Sequence, residues 1–301
     1  LSTLALTNRV AALAAEAVPN CVLVAGDMQR GLRGRDAKLQ DHVVRALLHH
    51  PNTGGAVVFV HDTSARKWLQ AWTRTCGRPI EVIAFMEGRG VAETVHRGNE
   101  AVTRVHTALK TQTRSPGHLG ELTVALECGG SDATSAVCAN PVIGSFVDQV
   151  VAAGGRAIVS ETAEFIGAEQ VVAQRAVSPE AASQILEAIS RRERMMKEDG
   201  EDYRGVNPTE ENIGAGLTTL IEKSMGAVAK CGKSPLMGRL DFAQEPPGPG
   251  LWFMDTPFFS PVSITGMVCA GAQLTLFGIG VFNPSAVPVA PIPLLSILMT
   301  D

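Results

Sequence analysis

Short apolar runs recur along this chain, and segments with helical spacing separate them. "CVLVAG", "AVVFVHD" and "IEVIAFM" stand in the first third; "LTVALEC", "RAIVSET", "LWFMDT" and "LTLFGIG" follow later. A run apolar at every position has no face to give to water, so it must be covered on both sides. Alternation with helices supplies that cover and permits parallel pairing. The spacing predicts helices over residues 7–18, 37–49, 64–75 and 89–109, then over 163–175 and 180–198. Another begins at "NPVIGSFVDQVVAAGG", with Asn140 as N-cap, Pro141 at the first helical position and Gly154 and Gly155 at its end. The tail "NPSAVPVAPIPLLS" carries too many prolines for a helix. Between "HTALK" and "LTVAL" lies the polar segment "TQTRSPGHLGE", read as a boundary. The expected fold is therefore α/β, with two Rossmann-like domains, residues 1–115 and 116–301, built on parallel sheets covered by helices.

Charge and composition narrow the partners. A net charge of −4 and 5% aromatic residues suit neither a phosphate-binding face nor a base-stacking platform, so no nucleic-acid partner is expected. Six cysteines lie scattered without a C-x-x-C pair, which points to a reducing compartment and a cytoplasmic location. No uninterrupted apolar run reaches the roughly 18 residues of a membrane span. "RGLRGRDAK", with Arg30, Arg33 and Arg35, reads as a solvated loop. "CGKS" follows a helix and is no phosphate loop.

Acids collect where the strands end. "LTVALEC" leads through "GGSDATSAVCANP" to Asp132; "RAIVSET" ends at Glu161, with Glu164 and Glu169 close behind; "LWFMDT" carries Asp255. In a parallel sheet these ends share one edge, where ligands bind. Carboxylates among small hydroxyl residues suit a hard cation or acid–base chemistry. Plainer readings stand beside these. Asp132 shapes a turn equally well, Glu161 and Glu164 suit a helix start, and Thr219 with Glu222 has capping-box spacing. Lys223 is read as a carboxylate clamp, a base or a surface cation. Cys128 is read as a buried thiol or a soft-metal ligand.

"CGGSDATSAVCANPVIG", "SETAEFIGAE", the "NP" at 207–208, "GLTTLIEKSMGAVAKCGKSP" and "FMDTPFFSPVSITGMVCAGAQLTLF" resemble, in order and spacing, the altronate/galactarate dehydratase family. That family also takes in the large subunit of sulfolactate sulfo-lyase. The resemblance covers about residues 120–280; "HPNTGGAVVFV" and "EGRG" extend it loosely into the first domain. It implies an unusual Rossmann-like C-terminal domain and a first domain serving dimerisation. It implies elimination of water or sulfite from a hydroxy acid, through an enol, to a 2-keto acid. The expected cofactor is a divalent metal: iron, with manganese or magnesium as alternatives. Carried onto this chain, the resemblance sets Lys223, Glu161 and Asp132 as catalytic and Cys128, Asp132, Glu161 and Glu169 at the metal. Ser131, Asn140, Thr218, Thr219, Ser224, Asp255 and Thr256 would touch substrate. It further implies a homodimer and a separate small clip-like subunit, with a small-molecule hydroxy acid as ligand. This chain departs from the pattern in three loops. "GDMQRGLRG" lacks the expected His and Cys, Ser64 stands where a cysteine is expected, and "GIGVFNPSA" lacks an arginine. Two other readings therefore stay open: a non-catalytic sugar-acid-binding or regulatory relative, and a hydrolase on the same scaffold.

Overall fold

Val57 and Phe59 face one way along their strand, Val58 and Val60 the other, and both sets are buried. That is the signature of a strand covered on both faces. In this computed structural model, which describes residues 1–26, 31–198, 207–257, 259–281 and 283–296, the chain forms two units, Leu1–Pro116 and Gly117–Asp301.

The first unit runs α1 (Ala5–Ala15), α2 (Gly34–His49), β1 (Ala56–Val60), α3 (Thr63–Thr73), β2 (Ile80–Ala84) and α4 (Val91–Leu109). β1 and β2 pair in parallel, from Ala56 opposite Ile80 to Val60 opposite Ala84. Val10, Ala14, Ala101 and Val105 of α1 and α4 pack on one face, Val44, Leu48 and Leu69 of α2 and α3 on the other. Gly98 permits the close approach on the first face. A Cβ there would lie 2.8 Å from the Phe59 ring and 2.9 Å from Ala14 Cβ. "CVLVAG" is not a strand: residues 21–26 are irregular. Residues 1–3 take the place beside β1 instead. Phe59 N–H donates to Leu1 O at 2.9 Å, Thr3 N–H donates to Phe59 O at 3.1 Å, and Val24 O merely accepts from Ser2 N–H at 2.8 Å. The sheet of this unit therefore has two strands among the described residues.

The second unit holds a larger sheet. Its strands are β3 (Thr123–Gly129), β4 (Arg156–Val159), β5 (Leu236–Leu240), β6 (Gly250–Met254), β7 (Leu274–Ile279) and β8 (Leu294–Leu295). Their order is β5-β6-β4-β3-β7-β8, and every neighbouring pair is parallel. The helices are α5 (Asn140–Ala152), α6 (Glu169–Arg175), α7 (Pro179–Glu198), α8 (Glu210–Gly214), α9 (Leu220–Ala229) and α10 (Ser260–Cys269). Val124, Leu126, Val159 and Phe253 pack with Ile143, Val147 and Ile185 on one face; Ala125, Ile158 and Met254 pack with Met267 on the other. Residues 135–152 are long and apolar enough to cross a membrane, but here that helical stretch covers the sheet, with Ile143, Val147 and Val150 fully buried.

Two local features depart from the sequence expectation. Asn140 is not an N-cap. Its backbone is helical, φ −64° and ψ −44°, because the helical run starts earlier and passes through a π turn at Ser135–Ala139. A π turn lets Pro141, which has no N–H, sit inside the run, and such turns favour functional sites. The strand β5, "LMGRL", carries a glycine and an arginine that hide it from an apolar-run search. It pairs with β6 through an irregular register.

Candidate active site

The chain leaves β3 for β4 on one side, while β7 lies on β3's other side. Such a reversal opens a crevice at the carboxyl ends of the strands. Here the loops after β3 and β7 are clamped: Gly280 and Val281 N–H donate to Gly130 O at 3.1 and 2.6 Å. Gly130 has φ +57°, and a Cβ there would fall 1.8 Å from Val281 O, so glycine alone fits. Beside this clamp lies a cavity of about 310 Å³. Its walls include Cys128, Gly129, Gly130, Ser131, Glu161, Glu164, Asn212, Lys223, Ser260 and Asn283.

The acids at its floor are buried. Glu127, Glu161 and Glu164 are each at most 2% exposed, and Lys230 is fully covered. Lys230 Nζ donates to Glu164 Oε2 at 2.7 Å. Burial opposes the charge on Lys230, but Glu164, Cys128, Glu127 and Glu161 outweigh it and hold the ammonium's pKa above its usual value. Glu127 accepts from Ser263 Oγ at 2.8 Å through Oε2, and its Oε1, as a carboxylate, finds no donor. Burial, then the Glu164 charge, pushes Glu127 up to about 7 against the pull of Lys230. Glu161 is pushed well above the carboxylate range by burial first, then by Glu127 and Glu164. The Glu127 charge is thus one of those that favour the protonated form of Glu161. Burial, then Glu164, also raises the Cys128 thiol, whose Sγ lies 3.1 Å from Ser131 Oγ.

Glu161 has left-handed backbone, φ 63° and ψ 67°. For a residue with a Cβ that costs about 1–3 kcal/mol and persists only where neighbours impose it. They do so here. Glu161 N–H donates to Thr256 Oγ1 at 2.9 Å, Thr256 N–H to Thr162 Oγ1 at 3.1 Å, and Thr162 Oγ1 to Asp255 Oδ1 at 2.8 Å. Asp255 is itself held by Arg191, with Arg192 and Arg239 each at 3.7 Å.

This chain of bonds redistributes the expected roles. Glu161, Lys223, Ser131 and Cys128 stand on the cavity wall. Thr256 and Asp255 do not line it; they hold the Glu161 backbone from behind. Asp132 caps the helical run, accepting from Ser135 N–H at 2.6 Å and from Thr134 Oγ1 at 2.9 Å, with its carboxyl pressed against Gly280. Thr218 and Thr219 are exposed and cap α9 with Glu222, as the plainer reading has it. Ser224 Oγ bonds Ile166 O and Leu220 O. Glu169 accepts from Gly167 N–H at 2.8 Å, away from the cavity. Asn140 Nδ2 donates to Gly226 O at 2.9 Å and to Cys128 Sγ at 3.5 Å, behind the wall. Arg30 lies outside the described residues. Glu127 and Lys230, central here, have no role in the sequence reading.

A metal would need converging ligands. Among the described residues no three His, Cys, Asp or Glu side chains form such a group. Of the four residues set at the metal, Asp132 and Glu169 are committed to backbone N–H groups, and Cys128 is a buried thiol with a raised pKa. Glu164, the acid beside Glu161, faces Lys230. These side chains do not fit a prearranged metal site.

The Glu127 carboxyl makes a measurable prediction. Its folded pKa of about 7 exceeds its ordinary 4.5, so the folded state binds its proton more tightly. The stability it contributes is full below pH 4.5 and lost as pH rises through 7. Relative to Glu127→Gln, the wild-type second unit should gain about 2 kcal/mol between pH 7 and pH 5. Hydrogen exchange of β3 and β4 amides across that range reads it; a flat difference removes the assignment.

The second unit is thus a parallel α/β unit with a cavity lined by buried carboxyls at its strand ends. Residues 119–297, more than half of the chain, match the family D-galactarate/Altronate dehydratase, C-terminal, and the chain belongs to that family. It is 29% identical over 252 residues to an altronate dehydratase of Bacillus subtilis (strain 168), a match covering 83% of this chain and 50% of that protein. Identity to subunit beta of a (2R)-sulfolactate sulfo-lyase from Chromohalobacter salexigens is 29% over 245 residues, covering 81% and 63%. Identity to a galactarate dehydratase (L-threo-forming) of Escherichia coli (strain K12) is 33% over 184 residues, covering 61% and 35%. The chain spans about half the length of the altronate dehydratases it matches.

Proposed function

We propose that this chain carries a lyase site, on a Rossmann-like second unit, that removes water from a hydroxy acid to give a 2-keto acid. The observation that carries this is the pair Glu161 and Glu164 on one cavity wall, of which only Glu164 faces a buried cation. Glu164 is ion-paired with Lys230 at 2.7 Å, while burial and the neighbouring acids favour the protonated form of Glu161. Two carboxyls set apart in this way divide the roles of base and acid. Glu164 takes the proton from the α-carbon, Glu161 gives its proton to the departing β-hydroxyl, and water leaves. The resulting enol tautomerises to the keto acid. Lys223, half-buried on the wall, holds the substrate carboxylate.

The dehydratase names of the relatives support the reaction class. The divalent metal implied by the resemblance remains part of the proposal only as an activator to be tested, and no step is assigned to it. The homodimer, the small clip-like subunit and the cytoplasmic location stand on the same footing; one relative's being a subunit beta supports a partnered arrangement.

The test is anaerobic. Incubating the chain with and without ferrous iron on aldonates, aldarates and sulfolactate should release a 2-keto acid from at least one of them, read as its hydrazone. No keto acid from any member under either condition sinks the lyase reading in favour of a binding relative.

A further inference from the structure

Resting on the hydroxy-acid reading above, we infer that this cavity selects acids bearing a single carboxylate and rejects the matching dicarboxylates. Among the described residues lining it, Lys223 is the one cation, while Glu161, Glu164 and Glu211 are acids. Lys230 adds no positive charge for a ligand. It is fully covered and spent on Glu164.

Lys223 is pinned for its task. Its Nζ donates one N–H to Asn212 Oδ1 at 3.0 Å. Asn212 is fixed in turn: its Nδ2 donates to Ser131 O at 2.8 Å, and its Oδ1 also accepts from Thr209 N–H at 3.1 Å. An ammonium has three donors, so two remain for the two oxygens of one carboxylate. Elsewhere the wall offers the hydroxyls of Ser131 and Ser260 and the carboxamide of Asn283, neutral partners suited to a chain of alcohols. Among the described lining residues a second carboxylate would find no other cation to meet it. At the rim it would meet Glu211, a like charge, which costs affinity directly and raises the desolvation left uncompensated.

Titration calorimetry on the full chain with matched six-carbon pairs tests this. Altronate is paired with altrarate and galactonate with galactarate, so that only the oxidation of C6 differs. The expected result is that the aldonate binds at least tenfold more tightly than its aldarate. Glu211→Lys, which places a second cation at the rim, should narrow that ratio at least fivefold by tightening the aldarate. An aldarate that binds as well as its aldonate overturns the inference. So does a preference that Glu211→Lys leaves unchanged, and so does the failure of every acid to bind. Tight aldonate binding without keto-acid formation leaves the selectivity standing and sinks the lyase reading instead.

Discussion

Glu161→Gln should lower turnover by about 10²–10⁴-fold, the usual share of a positioned acid, while leaving KM within a few-fold. The substitution keeps size and hydrogen-bonding shape and removes only the transferable proton. The backbone demand is unchanged, because the strained φ of 63° is imposed through the Glu161 N–H bond to Thr256 Oγ1. Hydrogen exchange in β4 should therefore match wild type. Asp132→Asn supplies the contrast. Asp132 is the cap of the helical run, a place asparagine fills about as well, so the variant should stay within about 0.5 kcal/mol of wild-type stability and within tenfold of its turnover. Should Glu161→Gln keep more than a tenth of wild-type turnover, Glu161 is not the acid. Should Asp132→Asn be the dead variant, the roles are reversed and the capping geometry conceals a catalytic carboxylate.

The difference between these two acids marks how far sequence reading reaches. Apolar runs such as "LTVALEC" and "LTLFGIG" announce buried strands because nothing but burial requires them, and they fold into adjacent parallel strands of one sheet. From that, the convergence of strand ends on one edge follows, and with it Glu161 on the cavity wall. What a run of apolar residues does not say is who pairs with it. "CVLVAG" has the composition of a strand, yet residues 1–3 hold its place beside β1. "LMGRL" lacks that composition and is a strand because β6 offers an open edge.

The buried charges were hidden for a different reason. Glu127 sits among fully buried neighbours, and Lys230 is the C-cap residue of α9, where a cation ordinarily complements the helix dipole from the surface. Each looks unremarkable alone. Their meaning lies in a contact across 66 positions of sequence between Lys230 and Glu164, which no local pattern carries. The signal present was an acid between Leu126 and Cys128, inside an otherwise apolar strand. Such a residue is rarely fully buried unless paired, so it asks for a buried partner.

That pairing sets the second large expectation. Lys230→Met should destabilise the second unit by about 3–5 kcal/mol at pH 7, the cost of leaving a buried charge without its partner. Lys230 is fully covered and Glu164 is 3% exposed on its side chain, so water cannot replace the lost ammonium cheaply. The cluster has one escape, which is to take up a proton. Without Lys230 the folded-state affinity of these carboxyls for protons rises above that of the unfolded chain, so the stability loss should shrink as pH falls from 7 toward 5. Adding Glu164→Leu should recover most of the loss at pH 7, because removing both partners removes the need for either, and a packed apolar pair is often as stable as a buried ion pair. Turnover should not return in the double variant, since the base is gone. Exchange protection of β3 and β4 amides measures the first two effects, and keto-acid release the third. A Lys230→Met chain within about 1 kcal/mol of wild type at pH 7 would mean that the carboxyls already share enough protons to need no counter-charge. Glu164 could not then be the ionised base.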